Sequence, residues 1–215
     1  ETFNIEDGSF AFDKTPQIKD SADFNIKSLH FSLDNFIIDQ GSKSGNKNIF
    51  FSEAIELVIN DQVIYLSDSI HQFSFKRLTI STEDEFIKFD GIKVGPIQDP
   101  NKNSEPVAHV NYYDIDIPTL HLRGVDFHKA YLENSLKIDS IGILNPKILL
   151  VDKVKNRSKK EASSSSIGAL LVDYFDNVAV RQLTLKNGLV DLDFQAGEKT
   201  QQIRLESANI NIGNF

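Results

Sequence analysis

Five histidines, His30, His71, His109, His121 and His128, are the first residues to test for chemistry. Imidazole is the side chain best suited to bind a metal or move a proton near neutral pH. No two of them stand at a metal-binding spacing, and each reads as a surface residue of a strand or helix. Asp114 and Asp116 alternate along a strand-like stretch and could take calcium only with further oxygen ligands; a polar outer face accounts for them fully. Asp191 and Asp193 repeat that pattern, and among 31 acidic residues such pairs arise by number alone. The chain has no Ser-His-Asp arrangement, phosphate loop or HExxH motif. Cysteine is absent, which removes disulfides, thiolate zinc sites and cysteine nucleophiles together. The residues therefore point to a protein that is not an enzyme and needs no cofactor or metal.

Charge narrows the partners. A net charge of -8 over 215 residues argues against nucleic acid, whose binding rests on neutralising phosphates. The basic run KVKNRSKK (153–160) could meet anionic head groups, but a short basic run in an acidic domain reads first as a solvated loop. No run of eighteen apolar residues exists to span a bilayer as a helix. The chain starts at Glu1 and contains no Met, so it reads as a processed or excised piece whose targeting segment lies elsewhere. The lack of Cys suits an oxidising envelope compartment.

The elements that must carry any function are strands. Apolar and polar residues alternate through 3–13, 23–39, 54–68, 71–81, 85–97, 111–122, 136–153, 180–194 and 202–215, with Phe, Ile, Val, Thr and Tyr supplying strand propensity. Short polar turns between them favour an antiparallel meander. Two short helices are expected, at 125–134 and at 165–178, where Leu170, Leu171, Tyr174 and Phe175 share a face and would cap a sheet edge. Residues 41–46, 99–105 and the Lys/Ser-rich 153–166 read as loops, the last as a mobile one. The expected fold is mainly β: a curved antiparallel sheet forming a groove, with two short helices.

The alternation changes parity at repeated places. Phe3 and Ile5 are followed by Phe10 and Phe12 across Asp7-Gly8; Ile141 and Ile143 by Ile148 and Leu150 across Asn145-Pro146; Leu183 and Leu185 by Val190 and Leu192 across Asn187-Gly188. A two-residue hairpin turn would produce this pattern, and so would a one-residue bulge in a continuous strand. The Asn145-Pro146 copy cannot make a type I′ turn, because proline cannot take a positive φ. A second kind of phase shift occurs in 24–38 and in 203–215, where SLHFSLDNF (28–36) matches SANINIGNF (207–215). Ser28 lies 179 residues before Ser207, and Ile5 lies 180 before Leu185, so two different elements recur at nearly one spacing. The 215 residues are expected to form one β-rich module of a longer repetitive rod, in which 3–36 resembles 183–215.

The stretch from NYYDIDIPTLHLRGVDF through LKIDSIGILNPKILL, a polar loop and a short helix to LTLKNGLVDLDF (111–194) resembles the AsmA-like envelope proteins of Gram-negative bacteria, in their large Bacteroidetes version. That resemblance implies an elongated β-groove with an apolar interior in the periplasm, belonging to a membrane-anchored parent. It further implies a bridge-like role, moving phospholipid between inner and outer membranes, with no catalytic motif. Phe10, Phe12, Phe31, Leu33, Val190, Leu192, Ile210 and Ile212 are the expected lining of such a groove. Each buried methylene of an acyl chain contributes about 0.8 kcal/mol, so apolar lining suffices without polar recognition. The competing reading is a structural envelope module in which the same residues form a closed core. A carbohydrate-binding or hydrolytic β-domain is weaker still, since no Trp is present to make an aromatic platform.

Overall fold

A computed structural model of the chain describes residues 1–12, 24–36, 52–66, 71–97, 112–152, 175–196 and 199–213. Its elements are β1 (Phe3–Phe12), β2 (Phe24–Asp34), β3 (Ala54–Tyr65), β4 (His71–Ser81), β5 (Phe86–Pro96), β6 (Tyr112–Val125), α1 (Phe127–Glu133), β7 (Ser135–Leu144), β8 (Lys147–Asp152), β9 (Asn177–Ala196) and β10 (Lys199–Gly213). The ten described strands form one sheet in the order β1-β2-β3-β4-β5-β6-β7-β9-β10, and β8 pairs with β6 and β9. The fold is mainly β, as the alternation predicts.

β7 and β8 are two halves of one ladder strand. Residues 119–125 of β6 pair with β7 and residues 112–116 with β8, while β9 runs along the other side of both. Here the structure departs from a meander, because β9 is parallel to β7 and β8. Parallel neighbours need a crossover of a dozen or more residues, and the 24 residues from 153 to 176 supply that length.

The one described helix forms where expected, over the middle of 125–134. Asp126 caps its start, accepting from the backbone N–H of Lys129 at 3.0 Å, and Asn134 closes it in the left-handed region at φ 49°. Phe127 and Ala130 pack onto the cluster of Val125, Leu136, Ile138 and Val180. Most of the second expected helix, residues 165–174, lies outside the described residues, as do the three expected loops. Its last two residues, Asn177 and Val178, already belong to strand β9.

The sheet has one apolar face. A transverse row of paired residues crosses it as Leu29, Ile59, Leu78, Phe89, Leu120, Ile143, Leu185 and Ile210. A second row runs Ile64, Phe73, Val94, Ile115, Ile148, Val190 and Leu205. On each strand from β3 to β10 the two rows stand five residues apart, as in Ile59 and Ile64, Phe89 and Val94, or Leu185 and Val190. Five is odd. A regular strand would turn one row to the opposite face, so every strand must gain a residue between the rows.

That gain shows as a seam of left-handed backbone on β1, β3, β5, the β7–β8 break, β9 and β10. Asp7, Asp61, Gly91, Asn145, Asn187 and Ser207 all sit in the left-handed region with φ between 49° and 66°. Asn and Asp tolerate it better than other side chains. The β7–β8 break lies beside the bulge of β9, so pairing resumes in register beyond the seam: Leu144 pairs with Lys186 and Lys147 with Leu189. Of the two geometries open to the parity motif, the bulge is used at Asp7-Gly8 and Asn187-Gly188, while at Asn145-Pro146 the ladder strand breaks into β7 and β8. A hairpin is excluded, because β1 and β9 each continue along the same neighbour past the motif.

Candidate functional site

All seven expected lining residues whose side chains are described lie on the apolar face, and Phe12 holds the next ladder position of the same set, opposite Phe24. They do not form a single cluster. Phe10, Phe12, Phe31 and Leu33 belong to β1 and β2 at one edge of the sheet, and Val190, Leu192, Ile210 and Ile212 to β9 and β10 at the other. Between them lie five ladder strands whose apolar residues the list omits.

Burial along the face is graded. Its middle is closed: Phe75, Ile92 and Val94 are buried in one cluster with Ile26 and Ile59, Ile92 to 4% exposure. The rings of Phe73, Phe75 and Phe89 pack tilted and edge-on at 5.8 and 5.4 Å. The rims are open. Phe3 and Phe10 on β1, and Leu150, Ile203, Leu205, Ile210 and Ile212 on β8 and β10, are exposed large apolar side chains, Phe10 at 51%. Among the described elements, contacts follow the hydrogen-bond ladder, with α1 on β7 as the addition.

His71 corrects an expectation. It is not a surface residue: it is 2% exposed, its ring stacks on Tyr113 with centroids 3.9 Å apart, and its Nε2 accepts from the Tyr113 backbone N–H at 3.3 Å. Its backbone carbonyl also receives the Leu66 N–H. Cross-strand stacking supplied by β6 buries it, which spacing within one strand cannot show. His30, His121 and His128 are half-buried, and His109 lies outside the described residues. Among the described residues no three His, Asp or Glu gather into a metal-binding group.

The opposite face carries most of the charge. Lys88 pairs with Asp90 at 2.9 Å, and Asp114 and Asp116 line the same side of β6. Asp191, which pairs in the ladder with Leu149 and Arg204, has Oδ1 3.8 Å from the Arg204 Nε and without a hydrogen bond.

One depression of about 380 Å³ opens on this polar face. Its walls form a three-by-three grid over β6, β7 and β9: Thr119, Leu144 and Lys186; His121, Gly142 and Thr184; Arg123, Ser140 and Gln182. The hollow exists because its central residue, Gly142, has no side chain. His121 Nδ1 accepts from Arg123 Nε at 3.2 Å. Burial first, then the charges of Arg123 and Lys88, hold the His121 pKa below its ordinary 6.5. Sequence reading missed this hollow; the small residue between His121 and Thr184 is visible only once strands are paired.

No protein family, curated protein or solved structure matches this chain. No described helix is long and apolar enough to cross a membrane.

Proposed function

We propose that the apolar face binds lipid acyl chains, and that the chain is a non-catalytic segment of an AsmA-like envelope protein conducting phospholipid between membranes. The observation that carries this reading is the seam. It places left-handed backbone at one level on β1, β3, β5, the β7–β8 break, β9 and β10, and its consequence is a face that stays apolar from β1 to β10 on both sides of the break. A sheet that needed only a core beneath its middle strands has no requirement for apolar rims. A run of exposed apolar side chains along a rim, such as Ile203, Leu205, Ile210 and Ile212 on β10, marks contact with lipid, ligand or protein. Bulges also bend and twist a sheet, which favours a trough over a flat wall. The sequence resemblance adds the periplasmic location, the membrane-anchored parent and the phospholipid partner to the proposal.

A second reading has its own observation. The buried middle, with Phe75, Ile92 and Val94 closed off, favours a structural envelope module whose core is dry. Native mass spectrometry of the chain mixed with phosphatidylethanolamine separates the two. Conduction predicts bound lipid, lost in Leu205→Asp/Ile210→Asp and kept in Asn209→Asp/Asn211→Asp. A lipid-free chain at saturating lipid supports the structural module and refutes conduction.

A further inference from the structure

The two edge hairpins share one register. In β1–β2 the paired residues are Phe3 with Leu33, Ile5 with Phe31, Gly8 with Leu29, Phe10 with Ile26 and Phe12 with Phe24. In β9–β10 they are Leu183 with Ile212, Leu185 with Ile210, Gly188 with Ala208, Val190 with Leu205 and Leu192 with Ile203. Adding 180 to each β1 number and 179 to each β2 number converts the first set into the second, and both register shifts fall at equivalent steps. The glycines match in surroundings too. A Cβ on Gly8 would meet Ile5 at 2.7 Å and Leu29 at 3.7 Å, and one on Gly188 would meet Leu185 at 2.7 Å and Ala208 at 3.6 Å.

What differs is the next strand. β2 is covered on its far side by β3, which pairs Ile59, Leu57 and Ile55 with Leu29, Phe31 and Leu33. Among the described residues β10 has β9 as its one ladder partner. The exposures follow: Leu33 is 7% exposed and its counterpart Ile212 44%; Ile26 is 8% exposed and its counterpart Leu205 49%. Unpaired amides and carbonyls along such an edge are a template for strand addition.

We propose that the free edge of β10 is a docking edge for an antiparallel strand of the β3 type, supplied by a further unit of the same architecture. The incoming strand sets its apolar positions equivalent to Ile59, Leu57 and Ile55 against Ala208, Ile210 and Ile212. Its alternate positions, equivalent to Val58 and Glu56, face the side of Asn209 and Asn211. The proposal does not depend on what the apolar face carries.

The probe is a synthetic peptide of residues 54–65, AIELVINDQVIY, added to the intact chain and read by hydrogen exchange. The expected result is slowed exchange over 208–213, no change along β1, and no effect from a scrambled peptide. Ile210→Asp, at an exposed position, is expected to weaken binding about tenfold, while Asn209→Asp is not. Three results overturn the proposal: no protection of β10 at millimolar peptide, equal protection by the scrambled peptide, or changes confined to β2 and β4, which would mean exchange with the resident β3.

Discussion

The backbone N–H of Asn145 donates to the carbonyl of Lys186 at 2.9 Å, joining the break between β7 and β8 to the bulge in β9. A second bond, from the Leu189 N–H to the Pro146 carbonyl at 2.8 Å, closes the other side. Two irregular strands thus satisfy each other's polar groups, so the seam costs few buried hydrogen bonds. The Asn187 N–H is in turn taken by the Asn209 side chain at 3.2 Å.

Asn187 should be sensitive to shape at φ 54°. Asn187→Val is expected to destabilise the fold by about 1–2 kcal/mol, the cost of forcing a side chain into the left-handed region. Asn187→Gly should be neutral or better. Urea unfolding midpoints check both.

Deleting Asn187 tests the parity argument directly. Removing one residue turns Asp191 and Asp193 toward the apolar face and Val190 and Leu192 away from it. A loss of at least ~3 kcal/mol is expected, because carboxylates would be buried without partners. Retention of near-normal stability would show that the bulge does not set the face.

Much of this was legible in the residues. Alternation located the strands; the switches at Asp7-Gly8, Asn145-Pro146 and Asn187-Gly188 marked the seam on three ladder strands, and the phase shifts in 24–38 and 203–215 marked it on β2 and β10. Its crossings at Asp61 and Gly91 were not legible, since Gln62 interrupts the apolar set of β3 and glycine alone is ambiguous. The parallel run of β9 beside β7 was hidden as well, because strand direction depends on a connection and leaves no mark on alternation. Lining residues were read only at the edges; those of the middle strands carry the same pattern and became a set only through pairing.

The cap of α1 gives a pH-dependent prediction. The Lys129 ammonium donates to Asp126 at 2.8 Å, and this bond, with the backbone N–H of Lys129, holds the Asp126 carboxyl below its ordinary 3.8. A depressed carboxyl stabilises the fold above that value and loses the contribution as pH falls through its own lower one. Asp126→Ala should cost about 1 kcal/mol at neutral pH. The gap from the unaltered chain should shrink as pH drops below 3.8, as followed by thermal denaturation across pH.

His121 should titrate below 6.5 in an NMR pH series, and Arg123→Gln should raise its pKa. The unfolded chain binds this proton more readily than the folded one, so the site opposes folding as pH falls through 6.5. A pKa at or above 6.5 would show that the hollow around Gly142 leaves the imidazole fully solvated and free of its cationic neighbours.

The most direct measurement places a photo-crosslinking amino acid, one position at a time, at Phe10, Ser9, Ile210 and Asn211 and irradiates the chain with phosphatidylethanolamine vesicles. Ser9 and Asn211 adjoin the first and third of these positions on the opposite face. Acyl-chain adducts at Phe10 and Ile210, and none at Ser9 and Asn211, are the predicted result. Absence of adducts at every position, or equal yields on both faces, would contradict a lipid-binding face.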